Sequence, residues 1–151
     1  MSVPEAEAAD RVARFTGALR SCGFRLTHQR LEVVREVAST DAHPDADQVF
    51  RSVRGRVPTI SLDTVYRTLG TLTDLGLVSR VQGVTSAVRF DANSTHHHHF
   101  VCSRCGRIDD VESSALDGVS LPADVGHFGS VDVVEVRFRG VCRACAEEER
   151  S

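Results

Sequence analysis

The first half of the chain repeats apolar residues at helical spacing in four segments. The first segment covers about residues 8–22 and is followed by Gly23, a residue that favours a helix end. Its apolar stripe consists of Val12, Phe15, Leu19 and Cys22. Because Cys22 lies on this stripe, we expect it to be a small core residue rather than a metal ligand. Thr27 is suited to cap the second helix, whose stripe consists of Leu31, Val34 and Ala38.

The third and fourth helical segments follow a break at residues 43–44. Asp45 and Gln48 have the spacing of a capping box, and the helix that they begin would bury Val49, Phe50 and Val53. Ser61 is suited to cap the fourth helix, whose stripe consists of Leu62, Val65, Leu69 and Leu72. Both helices are followed by a glycine, Gly55 and Gly76.

Alternation of apolar and polar residues replaces helical spacing after Gly76. Residues 77–82 and 87–91 flank a turn-forming stretch and predict a β-hairpin. The polar residues 91–95 predict a hinge, after which strands are expected over 96–102, 107–111 and 131–139, with a short helix around 114–118. The segment 131–139 shows the clearest alternation of the three.

Helices followed by a hairpin predict a winged helix, with the third and fourth helices as the helix-turn-helix and the hairpin as the wing. The outward face of the fourth helix is then the candidate DNA-reading surface, because hydroxyl and guanidinium groups reach phosphates and base edges in the major groove. The candidate DNA-binding residues are Ser61, Thr64, Tyr66, Arg67, Thr68 and Thr71. An ordinary solvated helix face is the alternative interpretation of this pattern.

Composition and charge narrow the class of protein. Of the 151 residues, 41% are hydrophobic and 26% are charged, which indicates a folded chain rather than a disordered one. No apolar run approaches the ~18 residues of a membrane helix and no signal peptide is visible, so we expect a cytoplasmic protein with no membrane partner. The formal net charge of −3 is the sum of +2 over residues 1–90 and −5 over residues 91–151. This asymmetry suggests that the two parts of the chain have different functions.

Four cysteines form two Cys-x-x-Cys pairs, Cys102 with Cys105 and Cys142 with Cys145. Two such pairs complete a tetrahedral zinc–thiolate site, provided that the intervening residues fold back. Disulfides and redox motifs are the alternatives, and a cytoplasmic location disfavours disulfides. A site with four protein ligands has no open position, so its expected role is to stabilise the fold.

Four consecutive histidines, residues 96–99, precede the first cysteine pair. On a strand, His97 and His99 would share one face and His96 and His98 the other. With Asp91 upstream and Asp110 downstream, these imidazoles predict a mixed nitrogen and oxygen site suited to Fe(II) or Mn(II). A solvent-exposed polar strand is the alternative interpretation.

These motifs together resemble the ferric uptake regulator (Fur) family of metal-dependent repressors, over about residues 10–146. The matching stretches are residues 25–30, 42–47, 60–69, 89–91 and 96–106, with the closing cysteine pair at 142 and 145. The resemblance implies an α+β protein: a winged-helix DNA-binding domain over residues 1–90, a hinge over 91–95, and a small α/β dimerisation and metal-binding domain over 96–151.

The resemblance also implies two metal sites in each chain. Structural Zn²⁺ would be bound by Cys102, Cys105, Cys142 and Cys145. A regulatory Fe²⁺ or Mn²⁺ would be bound by His43, Asp91, His97, His99 and Asp110. The implied partner is an inverted-repeat operator in double-stranded DNA, read by a homodimer.

Aspartate at positions 91 and 110 resembles the peroxide-sensing (PerR) branch of the family, because the iron-sensing branch usually has glutamate at both places. On this hypothesis peroxide oxidises His43 or His97, and the DNA is released. The alternatives are an iron, manganese or zinc uptake regulator without peroxide chemistry and, more remotely, a metalloenzyme or a zinc-stabilised interaction module. The chain departs from the family at His28, where proline is usual, and at Val134, where a second site of the iron sensors needs histidine. An additional ion on His96 and His98 is left open.

Overall fold

A computed structural model describes residues 3–150 of the chain. The chain divides between Ser94 and Thr95 into two compact units. This division lies within the segment 91–95, for which the polar pattern predicts a hinge. No helix in the described range is long and apolar enough to cross a lipid bilayer.

The first unit contains four helices: α1 Glu5–Ser21, α2 His28–Ala38, α3 Ala46–Arg54 and α4 Leu62–Asp74. Side-chain caps begin three of them, as the sequence predicts. Thr27 accepts a hydrogen bond from the Arg30 N–H, and Ser61 accepts one from the Thr64 N–H. Asp45 and Gln48 form the complete capping box of α3, with hydrogen bonds of 2.8 and 2.9 Å.

The four helices pack around one apolar core. Phe15 and Leu19 of α1 are fully buried against the stripes of the other helices. The other fully buried core residues are Val33, Val34, Val37, Ala38, Val49, Val53, Val65, Leu69 and Leu72. Burying each large aliphatic or aromatic side chain contributes about 1.5–3 kcal/mol, so this unit has an apolar core of its own.

A hairpin completes the first unit and makes it a winged helix. Strand β1 Ser79–Gln82 pairs antiparallel with β2 Val88–Asp91, with Ser79 opposite Asp91. Phe90 of β2 joins the helical core, which attaches the hairpin to the helices. The fold class is therefore α+β, with the helices and the wing in the first unit and a small α/β unit after them.

The second unit is built on a three-stranded sheet in the order β4–β3–β5. Strand β3 His98–Cys102 lies in the centre, antiparallel to β4 Ile108–Val111 and parallel to β5 Arg137–Gly140. Two short helices, α5 Ser114–Asp117 and α6 Arg143–Glu148, and a 3-10 helix at Ala123–His127 flank the strands. Among residues 95–150, the buried apolar residues are only Val101, Cys102, Ile108 and Cys145.

The structure corrects two expectations about where the elements end. The expectation of a buried Cys22 is wrong, because α1 ends at Ser21 and the exposed cysteine lies just beyond the helix. The strand expected over 131–139 is shorter, since only Arg137–Gly140 pairs with β3. Residues 131–133 are exposed, so their apolar side chains follow the alternating pattern without being buried in this chain.

Candidate metal centres

Chain topology brings the two cysteine pairs together. Cys102 ends β3, and Gly106, with a φ of 75°, forms the tight turn that places Cys105. The parallel pairing of β3 with β5 puts Gly140, the last residue of β5, opposite Cys102. Cys142 follows two residues after the end of that strand. Cys145 lies in the first turn of α6. The sheet therefore spans the long sequence separation between the pairs.

The four cysteine sulfurs form a compact cluster suited to zinc. All four lie within 4.8 Å of one another, and Cys105 Sγ is 3.8 Å from Cys142 Sγ. A tetrahedral ion with zinc–sulfur bonds of about 2.3 Å requires sulfurs about 3.8 Å apart. The donor set and its spacing fit a closed structural zinc site.

Hydrogen bonding within the cluster gives the Cys102 and Cys145 thiols different pKa values. The backbone N–H groups of Cys105 and Cys142 donate to Cys102 Sγ, and they lower the pKa of that thiol to about 6. Hydrogen bonding to Cys142 and burial raise the pKa of the Cys145 thiol to about 12. Backbone N–H groups thus stabilise a thiolate at Cys102, which is the form that binds a metal.

A second set of donors lies on the sheet of the same unit. His99 is directly opposite Asp110 in the β3–β4 pairing, and His97 precedes His99 by two residues. His97 Nε2 lies 3.0 Å from His99 Nε2. Asp110 Oδ1 lies 3.4 Å from the first of these nitrogens and 3.8 Å from the second. Both imidazoles are buried, and the Asp110 side chain is 16% exposed.

Hydrogen bonds on the far side of each ring indicate where its proton lies. His97 Nδ1 lies 2.6 Å from the Thr95 carbonyl oxygen, and His99 Nδ1 lies 2.9 Å from Glu135 Oε1. A carbonyl or carboxylate oxygen only accepts, so each Nδ1 carries the proton and each neutral Nε2 has a lone pair. Three electron-pair donors therefore face one another, and a cation among them would remove their mutual repulsion. This cluster fits a divalent ion that prefers nitrogen and oxygen ligands.

The first unit contains a second buried pair of a histidine and an aspartate. His43 Nε2 lies 3.7 Å from Asp91 Oδ2, and both residues are almost fully buried. His43 has a φ of 51°, a left-handed backbone conformation that histidine adopts more readily than most residues. The Arg89 guanidinium donates to the His43 carbonyl oxygen, and the Phe90 N–H donates to the Pro44 carbonyl oxygen at 2.9 Å. The hairpin strand β2 thus fixes both His43 and its partner Asp91.

The other two histidines of the run 96–99, His96 and His98, both face Asp117. His96 Nε2 and His98 Nε2 lie 3.3 and 3.2 Å from Asp117 Oδ1. The Val136 N–H, however, donates to His98 Nδ1 at 3.1 Å, so a neutral His98 ring carries its proton on Nε2. In this state Nε2 donates to Asp117 and has no lone pair for a metal. The geometry favours a hydrogen-bonded connection over an additional ion site.

The candidate DNA-reading face of α4 is exposed except at one position. Tyr66 is 52% exposed, and the Arg67 side chain is 72% exposed and pairs with Asp63 at 2.8 Å. Thr64 and Thr71 are partly exposed. Thr68 is fully buried and donates to the Thr64 carbonyl oxygen at 2.7 Å, so its assignment to the DNA-reading face is wrong. Thr68 follows the core residue Val65 by three positions, which places both on the same face of the helix and predicts that Thr68 is buried.

Sequence reasoning missed two residues that support the donors. Arg89 secures the backbone of His43, and Glu135 accepts the His99 hydrogen bond. They lie 46 and 36 residues from their partners, and no local spacing connects positions so far apart. Only the folded chain brings strand β2 and the segment just before β5 into contact with these donors.

The chain resembles known proteins both in sequence and in fold. The sequence model of the Ferric uptake regulator family matches residues 21–123. The peroxide-responsive repressor PerR of Staphylococcus epidermidis is 36% identical over 133 residues, with 87% of each chain covered. The structure of the Helicobacter pylori ferric uptake regulator superposes with a TM-score of 0.77 at 21% identity, covering 92% of this chain and 93% of that one. The Campylobacter jejuni peroxide stress regulator superposes with a TM-score of 0.67 at 27% identity, covering 86% and 98%. The chain therefore belongs to the ferric uptake regulator family.

Proposed function

We propose that this protein is a metal-dependent transcriptional repressor of the PerR type, which binds DNA as a homodimer and responds to peroxide through Fe(II) or Mn(II). The observation that carries the proposal is the convergence of His97, His99 and Asp110 as three electron-pair donors in a protein with a winged helix. The similarity to proteins named peroxide-responsive repressors supports it.

Two sites with different donors suit two ions. The cysteine cluster takes Zn²⁺, because thiolates prefer soft or borderline ions and four of them leave no position open. His43 and Asp91, together with His97, His99 and Asp110, take Fe²⁺ or Mn²⁺ as the regulatory ion. This five-residue assignment rests on the family resemblance and on the donor chemistry within each unit.

The proposed switch is the difference in affinity of the regulatory ion for two arrangements of the chain. Ligands from the winged-helix domain, 1–90, and the hinge, 91–95, would join those of the metal-binding domain, 96–151, around the ion. Binding then favours the DNA-competent arrangement only as far as the ion prefers it over the other. Moving a population from 1% to 99% competent requires about a 10⁴-fold preference. Losing one of five ligands is expected to remove much of that preference.

The exposed face of α4 would enter the major groove. Tyr66 and Arg67 are well exposed on this face, and Ser61, Thr64 and Thr71 are the other candidate contacts. Contacts of this kind to phosphates make DNA affinity fall steeply with salt. A DNA partner also assigns the protein to the cytoplasm, in a regulatory rather than a catalytic role.

Dimerisation is assigned to the second unit because it exposes several large apolar side chains. Phe128 is 90% exposed and Val133 is 66% exposed, in a unit with few buried apolar residues. Other exposed apolar residues there are Val119, Leu121, Val131, Phe138 and Val141. A second copy covering such a surface would supply the burial that one chain lacks, and a two-fold dimer would read an inverted repeat.

Binding of a regulatory ion is tested first by gel shift with an operator fragment and Mn(II). The zinc-loaded wild-type protein should bind DNA with the metal and release it on mild chelation. His43→Ala and Asp110→Ala should lose the metal response while keeping zinc, and Cys22→Ser should behave as wild type. The proposal fails if the response to Mn(II) survives either ligand substitution.

Peroxide sensing is tested separately. When bound, Fe(II) supplies a coordination position at which peroxide can react. His43 or His97 would then be oxidised: the ring would gain one oxygen atom from peroxide and the other oxygen would leave as water. The modified histidine would no longer bind the ion, and the protein would release its operator. Peptide mass spectrometry of the Fe(II) protein after dilute peroxide should show the mass of one added oxygen atom on one of these histidines. Unmodified histidines with retained DNA binding would instead indicate an iron or manganese regulator without peroxide chemistry.

A further inference from the structure

The two histidines of the proposed regulatory site are anchored by different chemical groups. His97 donates from Nδ1 to the neutral backbone carbonyl of Thr95. His99 donates from Nδ1 to the carboxylate of Glu135 at 2.9 Å. A carboxylate behind a ligating imidazole fixes its tautomer and raises its basicity more than a neutral acceptor does. The two rings therefore offer unequal electron density at Nε2.

The sheet places Glu135 beside His99. Parallel pairing of β3 with β5 sets His99 opposite Arg137. The His99 N–H donates to the Val136 carbonyl oxygen at 3.1 Å, and the Val136 N–H donates to His98 Nδ1 at 3.1 Å. Both bonds involve the residue immediately after Glu135. The backbone thus holds the Glu135 side chain at the Nδ1 edge of the His99 ring, although half of that side chain is exposed to solvent.

Glu135 does not belong to the donor cluster itself. Its carboxylate contacts Nδ1 of His99, whereas the ring nitrogen facing His97 and Asp110 is Nε2. The imidazole ring separates the two positions. Glu135 therefore acts on the ion only through the orientation and protonation of His99.

From these contacts we infer that Glu135 is a positioning residue for the regulatory ion: its carboxylate holds the His99 proton on Nδ1 and so keeps the Nε2 lone pair available. This inference rests on the proposed function. Without the carboxylate, the ring proton can move to Nε2, where it would donate to His97 Nε2 at 3.0 Å. A proton in that position blocks the lone pair that the metal needs.

The test compares three substitutions in the zinc-loaded full-length protein. Glu135→Ala removes both charge and acceptor, and Glu135→Gln keeps an acceptor without charge. Asp132→Asn is the matched control, because Asp132 is exposed, lies on the same segment, and makes no hydrogen bond or ion pair within the described range. Mn(II) affinity is measured by competition with a metal indicator. We expect a loss of about 10- to 100-fold for Glu135→Ala, a smaller loss for Glu135→Gln, and none for Asp132→Asn.

A tautomer measurement separates this role from a merely structural one. Long-range ¹H–¹⁵N NMR of the protein with zinc but no regulatory ion, at alkaline pH where imidazoles are neutral, reports which nitrogen of His99 is protonated. The wild-type protein should show the Nδ1–H form, and Glu135→Ala should shift His99 toward the Nε2–H form while leaving His97 unchanged. Zinc content should remain the same in every variant. An unshifted His99 tautomer in Glu135→Ala overturns the inference.

One further variant distinguishes the failure of this inference from the failure of the proposed function. Asp110→Ala removes a proposed ligand outright and should abolish tight Mn(II) binding. If Asp110→Ala abolishes binding and Glu135→Ala leaves it at the wild-type level, only the role of Glu135 is wrong. If Asp110→Ala also binds Mn(II) normally, the regulatory site is wrong and the role of Glu135 fails with it.

Discussion

Removing the structural zinc should unfold the second unit and leave the first unit folded. Cys142→Ser deletes one of the four thiolates of the cluster. The aliphatic core of this unit consists of Val101 and Ile108, whose burial contributes about 3–6 kcal/mol together. Structural zinc sites contribute apparent free energies of about 10–16 kcal/mol at neutral pH. The ion therefore outweighs the apolar core, and the sheet β4–β3–β5 is not expected to survive its loss.

Hydrogen exchange detected by mass spectrometry measures this outcome for each unit. Peptides covering β3, β4 and β5 should lose protection in Cys142→Ser, and peptides from α2 and α4 should keep it. Helical circular dichroism should change little, because α1–α4 hold most of the helical residues. Loss of the second unit should also convert the proposed dimer to a monomer in size-exclusion chromatography.

Cys22→Ser is the matched control for this experiment. Cys22 is exposed and outside the cluster, and its thiol donates to the Leu19 carbonyl oxygen at 3.1 Å. This variant should keep one zinc per chain and full protection. If β3 stays protected in a zinc-free Cys142→Ser protein, the comparison of zinc with the apolar core is refuted. If α2 and α4 lose protection as well, the apolar core of the first unit is not sufficient to keep that unit folded.

Three further substitutions test individual contacts. Arg11 is 5% exposed and donates hydrogen bonds to Glu7 and Asp41. Arg11→Met should therefore lower the free energy of unfolding by about 1–2 kcal/mol. Urea unfolding would be followed by circular dichroism, because the chain has no tryptophan. The hydrogen bond from Arg35 lowers the pKa of Glu32, so the stability that Glu32 contributes is complete above its ordinary pKa and is lost as pH falls through the lowered one. The stability difference between wild type and Glu32→Gln should therefore be constant above about pH 5 and shrink below it, in urea titrations across pH. His43→Asn should remove the proposed ligand with less loss of thermal stability than His43→Ala, because asparagine tolerates the left-handed conformation at φ 51° better than alanine.

Local chemistry explains what the sequence could predict. The caps at Thr27, Asp45 and Ser61 depend on side chains three residues from their partners, and all three form. The separation of His97 from His98 follows from the alternation of a strand and needs no tertiary information. The cysteine pairs likewise carry their own geometry, since two thiols at this spacing can face one ion.

Errors arose where a pattern was extended beyond the element that supports it. Cys22 continues the stripe of Leu19, but α1 ends at Ser21, so helical periodicity no longer sets its direction. The alternation over 131–139 is real, but a strand also needs a neighbour, and β3 reaches only Arg137–Gly140. Contacts such as Glu135 with His99 depend on which strands pair, and a single sequence does not specify that pairing.

Strand β3 connects the cysteine cluster with the proposed regulatory histidines of the second unit, and only the histidines depend on this connection. His99 lies in this strand and Cys102 ends it, three residues apart, or about 10 Å along an extended chain. The zinc cluster fixes one end of β3 and holds Gly140 of β5 beside it, which in turn sets Glu135 behind His99. The positions of the proposed regulatory histidines, His97 and His99, thus depend on the zinc. The cysteine cluster draws no ligand from the histidines, and its closed thiolate shell needs nothing from the regulatory ion. An ion at the proposed regulatory site can therefore bind and dissociate without unfolding the chain, whereas loss of zinc would unfold the sheet that positions His97 and His99.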